Sequence, residues 1–126
     1  MWNSEYGEGD ASGLSLVANL NLDFKWLHNT AWVYWQACDG GGWGLLACDE
    51  DAAPPALGGA NRKFFALAHY SRHVRPGMTI LATDGDDSVA AYDAAARRLV
   101  VVAACYGEGR WMAHDLSGFA AAVGPV

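Results

Sequence analysis

The chain has 126 residues, of which 52% are hydrophobic, and this is enough apolar material for one domain with a core, so a disordered tail is excluded. Its 14 acidic residues outnumber 8 lysines and arginines and give a formal net charge of −6, so we expect no nucleic-acid partner. No apolar stretch reaches the length of a membrane span, and the first residues lack the regions of a signal peptide.

The first part of the chain predicts a strand followed by a helix. Residues 1–6 form the strand, and residues 12–29 form the helix, with Asp10 or Ser12 available as its N-cap. Apolar residues at spacings of three and four define the helix face: Leu14, Val17, Leu20, Phe24 and Leu27.

A second strand and a second helix follow. The run TAWVYWQA (30–37) lacks polar alternation, which is typical of a strand that is buried on both faces in a parallel sheet. After a long loop (38–60), a helix is predicted over 61–74, where it ends before Arg75-Pro76-Gly77. Its predicted inner face is Phe64, Leu67, Ser71 and Val74.

From residue 78 the pattern changes to short strands at the spacing of an antiparallel meander. The strands are predicted at 78–83, 88–94, 98–106 and 110–116. We therefore expect an α/β unit over 1–77 and a partial β-sandwich over 78–126.

One carboxylate stands where α/β folds place catalytic groups. Glu5 lies at the carboxyl end of the first predicted strand, directly before a loop and a helix. Aromatic residues surround the two strand ends, and their flat faces beside a carboxylate suit a sugar. Trp32 and Trp35 are three positions apart on a strand, so they cannot both point to the same face, and at least one belongs to the scaffold.

Four segments together resemble the C-terminal part of glycoside hydrolase family 30, nearest its endo-β-1,6-galactanase-like branch and more distantly glucosylceramidase. They occur in the family's order and span nearly the whole chain: WNSEYGEGD (2–10), TAWVYWQACDGGGWGLL (30–46), NRKFFALAHYSRHVRPGM (61–78) and SVAAYDAAARRLVVVA (88–103). The resemblance implies that 1–6 and 30–37 are strands seven and eight of a (β/α)8 barrel. It also implies that 61–74 is the last barrel helix and that the side β-sandwich begins at 78.

The same resemblance implies a retaining hydrolase with a carbohydrate substrate and no cofactor, in a parent enzyme that is secreted or extracellular. Glu5 is then the catalytic nucleophile. Trp35 and Gln36 line the site at the end of strand eight, and Tyr6 and Trp43 are further substrate-binding candidates.

Retention requires a second carboxyl group as acid/base, and in this family that group lies on strand four, which would precede Met1. Glu8 and Asp10 follow Glu5 into the loop and are weak substitutes. We therefore expect the chain to be an internal piece of a longer enzyme. Alone, it is expected to fold poorly and to be inactive, because two strands cannot close a barrel.

Other patterns predict less. The segment DGGGWG (39–44) lacks the Lys-Ser/Thr ending of a phosphate loop, so no nucleotide is expected. His69 and His73 lack an HExxH glutamate, so no metal is expected. The segment DGDD (84–87) suits a hairpin turn better than a calcium loop. Cys38 and Cys48 flank one loop and form either a disulfide or free thiols. A non-catalytic carbohydrate-binding or interaction domain is the alternative function.

Overall fold

The computed structural model describes residues 1–119. They form two α-helices, one short π-helix and eight strands in three small sheets. In chain order these are β1 (Trp2–Tyr6), α1 (Leu14–Leu22), the π-helix (Asp23–Leu27), β2 (Ala31–Tyr34), β3 (Cys38–Asp39), β4 (Leu46–Asp49), β5 (Ala56–Ala60), α2 (Arg62–His73), β6 (Thr79–Leu81), β7 (Ser88–Asp93) and β8 (Arg98–Ala103).

The first four elements, from β1 to β2, form a β-α-β unit in which α1 and the π-helix are one continuous helical segment. Strands β1 and β2 pair in parallel, with Trp2 opposite Ala31 and Tyr6 opposite Tyr34. The pattern of strand, helix and parallel strand is the one predicted for this part of the sequence. The expectation that β2 is buried on both faces is wrong within the described residues, because β1 is its one paired neighbour and Val33 is half exposed.

The predicted first helix is divided into two forms. The α-helical part ends at Leu22, the π-helix continues to Leu27, and His28 adopts a left-handed conformation beyond it. In the α-helical part the buried face is Leu16, Val17, Leu20 and Asn21, which includes the predicted Val17 and Leu20. In the π-helix, whose wider turn changes the angular spacing of the side chains, the buried residue is Asp23. Leu14 and Leu27, which were predicted on this face, are largely exposed at the two ends.

Helix α2 lies where it was predicted, and Leu67 of its predicted inner face packs against the hydrophobic core, but the buried positions of this helix differ from the predicted ones. Its buried residues are Lys63 and Tyr70. Phe64, predicted to face inward, is exposed. The reason is that the polar partners of Lys63 lie inside the fold, so this lysine takes an interior position that an apolar pattern does not assign to it.

The segment predicted as a loop over 38–60 contains three short strands. Strands β3 and β4 pair in parallel, and β4 and β5 pair antiparallel. The glycine and proline content of this segment concealed them, because backbone pairing rather than side-chain burial holds β5, whose five residues are all exposed.

The third sheet contains β6, β7 and β8 in antiparallel order, which matches three of the four predicted strands of the meander. The fourth prediction is wrong, because 110–116 has no regular structure. Trp111 is fully exposed there, and Asp115 accepts the backbone N–H of Ser117 in a local turn. The end of the predicted second domain, 120–126, lies outside the described residues, and the sandwich stays a prediction.

One hydrophobic cluster joins both parts of the chain. It comprises Leu16, Val17 and Leu20 of the first helix, Tyr70 of α2 and Val89 of β7. Its contacts place the antiparallel sheet against the helices that accompany β1 and β2. Within residues 1–119, no helix combines the length and apolar character that crossing a bilayer requires.

Candidate functional site

The candidate site lies where β1 and β2 end. The register between these strands shifts between Asn3 and Tyr6, so one extra residue of β1 is accommodated at Ser4 and Glu5. Irregularities of this kind redirect side chains. Glu5 is exposed, whereas Asn3 and Tyr6 on either side are partly buried. Glu5 is therefore accessible at the carboxyl end of a parallel strand.

Two tryptophans accompany this end of the sheet. Trp35 follows β2 directly, and its backbone N–H donates to the carbonyl of Tyr6 at 2.7 Å. A Cβ placed on Gly7 would lie 2.5 Å from the Trp35 carbonyl oxygen and 2.9 Å from the Trp43 ring. Only a glycine allows the loop after Glu5 to approach both tryptophans so closely. Trp35 is 53% exposed and Trp43 is 44% exposed, so they offer apolar surface beside the strand ends.

Gln36 and Tyr6, the other predicted substrate contacts, have partners within the fold. The Gln36 amide donates to the Asp39 carboxylate at 2.7 Å, and the peptide bond between Trp35 and Gln36 is cis. The Tyr6 ring packs 5.4 Å from the Trp32 ring, against the hydrophobic cluster. Burial raises the pKa of Tyr6, and the nearby Glu8 carboxylate raises it further. The structure thus brings Trp35 and Trp43 together and turns Tyr6 toward the core.

Trp32 has a scaffold role. Its indole N–H donates to the buried Asp23 carboxylate at 2.9 Å, and its ring contacts the hydrophobic cluster. The same carboxylate oxygen accepts the side-chain amides of Asn3 at 2.7 Å and Asn29 at 3.1 Å. Asp23 therefore ties β1 to β2 on the side that faces the helices.

A buried ion pair lies beside the site, and the sequence patterns did not reveal it. The Lys63 side chain is fully buried, and its ammonium lies 3.0 Å from a Glu8 carboxylate oxygen. It also donates to the Glu8 carbonyl and to the Tyr34 hydroxyl, each at 2.7 Å. The helical periodicity assigns Lys63 to the exposed face of α2. Its position two residues after the N-cap residue Asn61 places it in the first turn but does not indicate that it is buried.

The two acids after Glu5 are both engaged locally. Glu8 binds the Lys63 ammonium and also accepts the backbone N–H of Asp10. Hydrogen bonds from Ser12 and Ser15 hold the pKa of Asp10 well below its usual range. A carboxyl group that is ionised in this way holds no proton to give to a leaving group. Asp10 therefore does not have the environment of a general acid, and the Glu8 carboxylate is already paired with the Lys63 ammonium.

The cysteines and the other possible metal-binding residues form no second site in the described part of the chain. Cys38, Cys48 and Cys105 are free thiols. Burial raises the pKa of the Cys48 thiol, with a further contribution from the neighbouring Cys38, so Cys48 is not activated as a nucleophile. Residues 1–119 contain no group of three or more His, Cys, Asp or Glu side chains arranged to hold a metal ion.

A curated protein is similar to this chain over most of the chain's length. Over 117 residues the chain is 51% identical to an endo-β-1,6-galactanase of Hypocrea rufa, and the match covers 93% of this chain and 24% of that protein. The chain thus spans about a quarter of the length of the curated relative it matches. No protein-family model and no solved structure matches the chain. The similarity supports a relationship with a glycoside hydrolase.

Proposed function

We propose that this chain is part of a retaining glycoside hydrolase that cleaves β-1,6-linked galactan, with Glu5 as its nucleophile. The observation that carries the proposal is the 51% identity to an endo-β-1,6-galactanase over 93% of the chain. The exposed position of Glu5 at the end of a parallel strand agrees with this role. The resemblance to family 30 adds the retaining stereochemistry.

In the proposed reaction, the Glu5 carboxylate attacks the anomeric carbon while an acid protonates the departing glycosidic oxygen. A covalent glycosyl-enzyme forms, and water then releases the sugar with the second carboxyl group acting as base. The two groups must lie about 5–5.5 Å apart. Because Glu8 is paired with Lys63 and Asp10 is held ionised, we assign the acid/base to a residue outside 1–119.

The sugar-binding surface is proposed to include Trp35 and Trp43. Both are about half exposed and lie against Gly7, two residues after Glu5. The C–H face of a galactose ring can stack on such indoles while its hydroxyl groups bind polar side chains. Gln36, at the same strand end, can offer its amide to a hydroxyl group in exchange for its bond to Asp39.

The fold proposed for the parent protein is a (β/α)8 barrel with a side β-sandwich. In this proposal β1 and β2 are barrel strands seven and eight, α2 is the last barrel helix, and the sheet from residue 78 onward begins the sandwich. The parallel pairing and the β-α-β order support this arrangement. Trp2 and Val33, which are exposed on the two-stranded sheet, would then contact neighbouring strands.

The test is to measure hydrolysis of β-1,6-galactan by the native polypeptide that contains this sequence. Glu5→Gln should lower kcat roughly ten-thousandfold, as expected for removal of a catalytic nucleophile. The matched control is Glu50→Gln, an exposed carboxylate on the turn after β4, which should leave kcat unchanged. Proton NMR of the first product should show the β-anomer. Full activity of Glu5→Gln, or inversion at the anomeric carbon, contradicts the proposal.

Carbohydrate binding without hydrolysis is the second candidate. The exposed pair of Trp35 and Trp43 favours it, because stacking on aromatic side chains requires no acid/base. The two candidates give different results in the same experiment. A binding domain retains its affinity for galactan in the Glu5→Gln variant and releases no reducing sugar in either form.

A further inference from the structure

Lys63 occupies an unusual position for a lysine. It lies in the first turn of α2, and its side chain is completely buried. Burying an ammonium is costly unless it is paired and hydrogen-bonded. All three of its N–H groups have partners: the carboxylate and carbonyl oxygens of Glu8 and the hydroxyl of Tyr34. The charge is therefore fully accommodated.

The backbone around Lys63 fixes where this ammonium lies. Gly13, directly before α1, has a φ of 84°, and a Cβ there would lie 2.7 Å from the Lys63 Cα. The two helices thus approach each other with no side chain between them at this point. Asn61, at the start of α2, donates its side-chain amide to the Gly44 carbonyl at 2.8 Å. These contacts leave the lysine little freedom to change partners.

Each partner of Lys63 belongs to a different strand end. Glu8 lies in the loop after β1, three residues beyond Glu5, and its carboxylate also accepts the N–H of Asp10. Tyr34 is the last residue of β2, and its hydroxyl donates to the Trp43 carbonyl at 2.7 Å. One ammonium therefore connects the loop that follows Glu5, the end of β2 and the loop that carries Trp43.

We propose that Lys63 is a positioning residue for the site at the ends of β1 and β2. Acting through Glu8 and Tyr34, it holds the loop after Glu5 against Trp35 and Trp43. Its effect on catalysis rests on the proposed function of Glu5. Lys63 does not touch the substrate, because its side chain has no exposed surface. A misplacement of about 1 Å at a reacting group can cost roughly a hundredfold in rate, so a loosened loop should lower kcat.

The experiment compares Lys63→Met with wild type in the native polypeptide. Methionine has a similar length and no charge, so it removes the three hydrogen bonds while filling the space. We expect amide hydrogen exchange over 7–10 and 43–45 to accelerate by roughly tenfold or more. We also expect kcat per folded molecule to fall by roughly tenfold to a hundredfold, with KM changed by less than about threefold.

Two further variants separate positioning from general stability. Lys25→Met is the matched control, because it removes an ion pair with Asp86 at 2.9 Å whose carboxylate is 62% exposed; it should change neither readout. Tyr34→Phe keeps the ring and the Lys63–Glu8 pair but removes the hydroxyl that connects to Trp43. It should accelerate exchange over 43–45 and lower kcat in the same direction, by a smaller factor.

The outcomes are distinguishable. Exchange and kcat of Lys63→Met within twofold of wild type overturn the inference. If Lys63→Met does not fold, Tyr34→Phe decides, and wild-type exchange and kcat in that variant overturn it equally. If the wild-type polypeptide hydrolyses no β-1,6-galactan, the proposed function fails, whereas faster exchange over 7–10 and 43–45 in Lys63→Met still supports the positioning role.

Discussion

Replacing Asp23 should loosen β1 and β2 together. One oxygen of this buried carboxylate accepts hydrogen bonds from Asn3, Asn29 and Trp32 at 2.7–3.1 Å, and Asp23→Ala leaves all three donors without this acceptor. Hydrogen bonds to a charged group contribute at least about 1.5 kcal/mol each, which gives about 4.5 kcal/mol for three. Relief of the buried charge returns part of this, so we expect a net loss of about 3 kcal/mol.

Amide hydrogen exchange measures this loss where it occurs. A local destabilisation of about 3 kcal/mol should accelerate exchange in β1 and β2 by roughly a hundredfold. The control is Asp86→Ala, which removes an exposed carboxylate paired with Lys25 and should cost less than about 1 kcal/mol. Equal exchange rates over β1 and β2 in the two variants would refute the role assigned to Asp23.

Two other predictions concern the loop after Glu5. Gly7→Ala should lower the Tm and the rate of galactan hydrolysis, because its Cβ would lie 2.5 Å from the Trp35 carbonyl oxygen. Gly9→Ala is the control and should change neither quantity, because the nearest atom to its Cβ would lie 3.6 Å away. Equal values for the two variants contradict this prediction. The depressed pKa of Asp10 predicts that its stabilising effect is complete above about pH 4 and is lost as the pH falls below that value. The Tm difference between wild type and Asp10→Asn should therefore be smaller at about pH 3 than at about pH 6. An equal difference at the two pH values would be evidence against this role of Asp10.

Much of the order of elements was predictable from the sequence. The run 30–37 and the amphipathic pattern of 12–29 predict a strand and a helix by ordinary periodicity, and β1 and β2 pair in parallel as a β-α-β unit requires. The π-helix was not predictable, because nothing in Asp23–Leu27 distinguishes a π-turn from an α-turn. The strands within 38–60 escaped prediction because they are held by backbone pairing in a glycine-rich segment.

For the site, the position of Glu5 could be predicted and the support around it could not. A carboxylate between a strand and a loop is visible in the sequence. The inner face of α2 was assigned to Phe64 because periodicity treats lysine as a surface residue. Lys63 is buried because Glu8 and Tyr34, distant in sequence, supply its partners. Such a pairing depends on tertiary contacts that a single sequence does not contain.

Covalent labelling identifies the residue that attacks the sugar, which is Glu5 in the proposed mechanism. The native polypeptide is treated with a 2-deoxy-2-fluoro β-galactoside that carries a good leaving group. The leaving group allows the glycosyl-enzyme to form, and the fluorine slows its hydrolysis. Mass spectrometry with fragmentation then identifies the modified residue in the peptide WNSEYGEGD (2–10). We predict one fluorogalactosyl group on Glu5, and Glu5→Gln should remain unlabelled. Labelling of Glu8, of Asp10 or of a residue outside this peptide would mean that Glu5 is not the nucleophile.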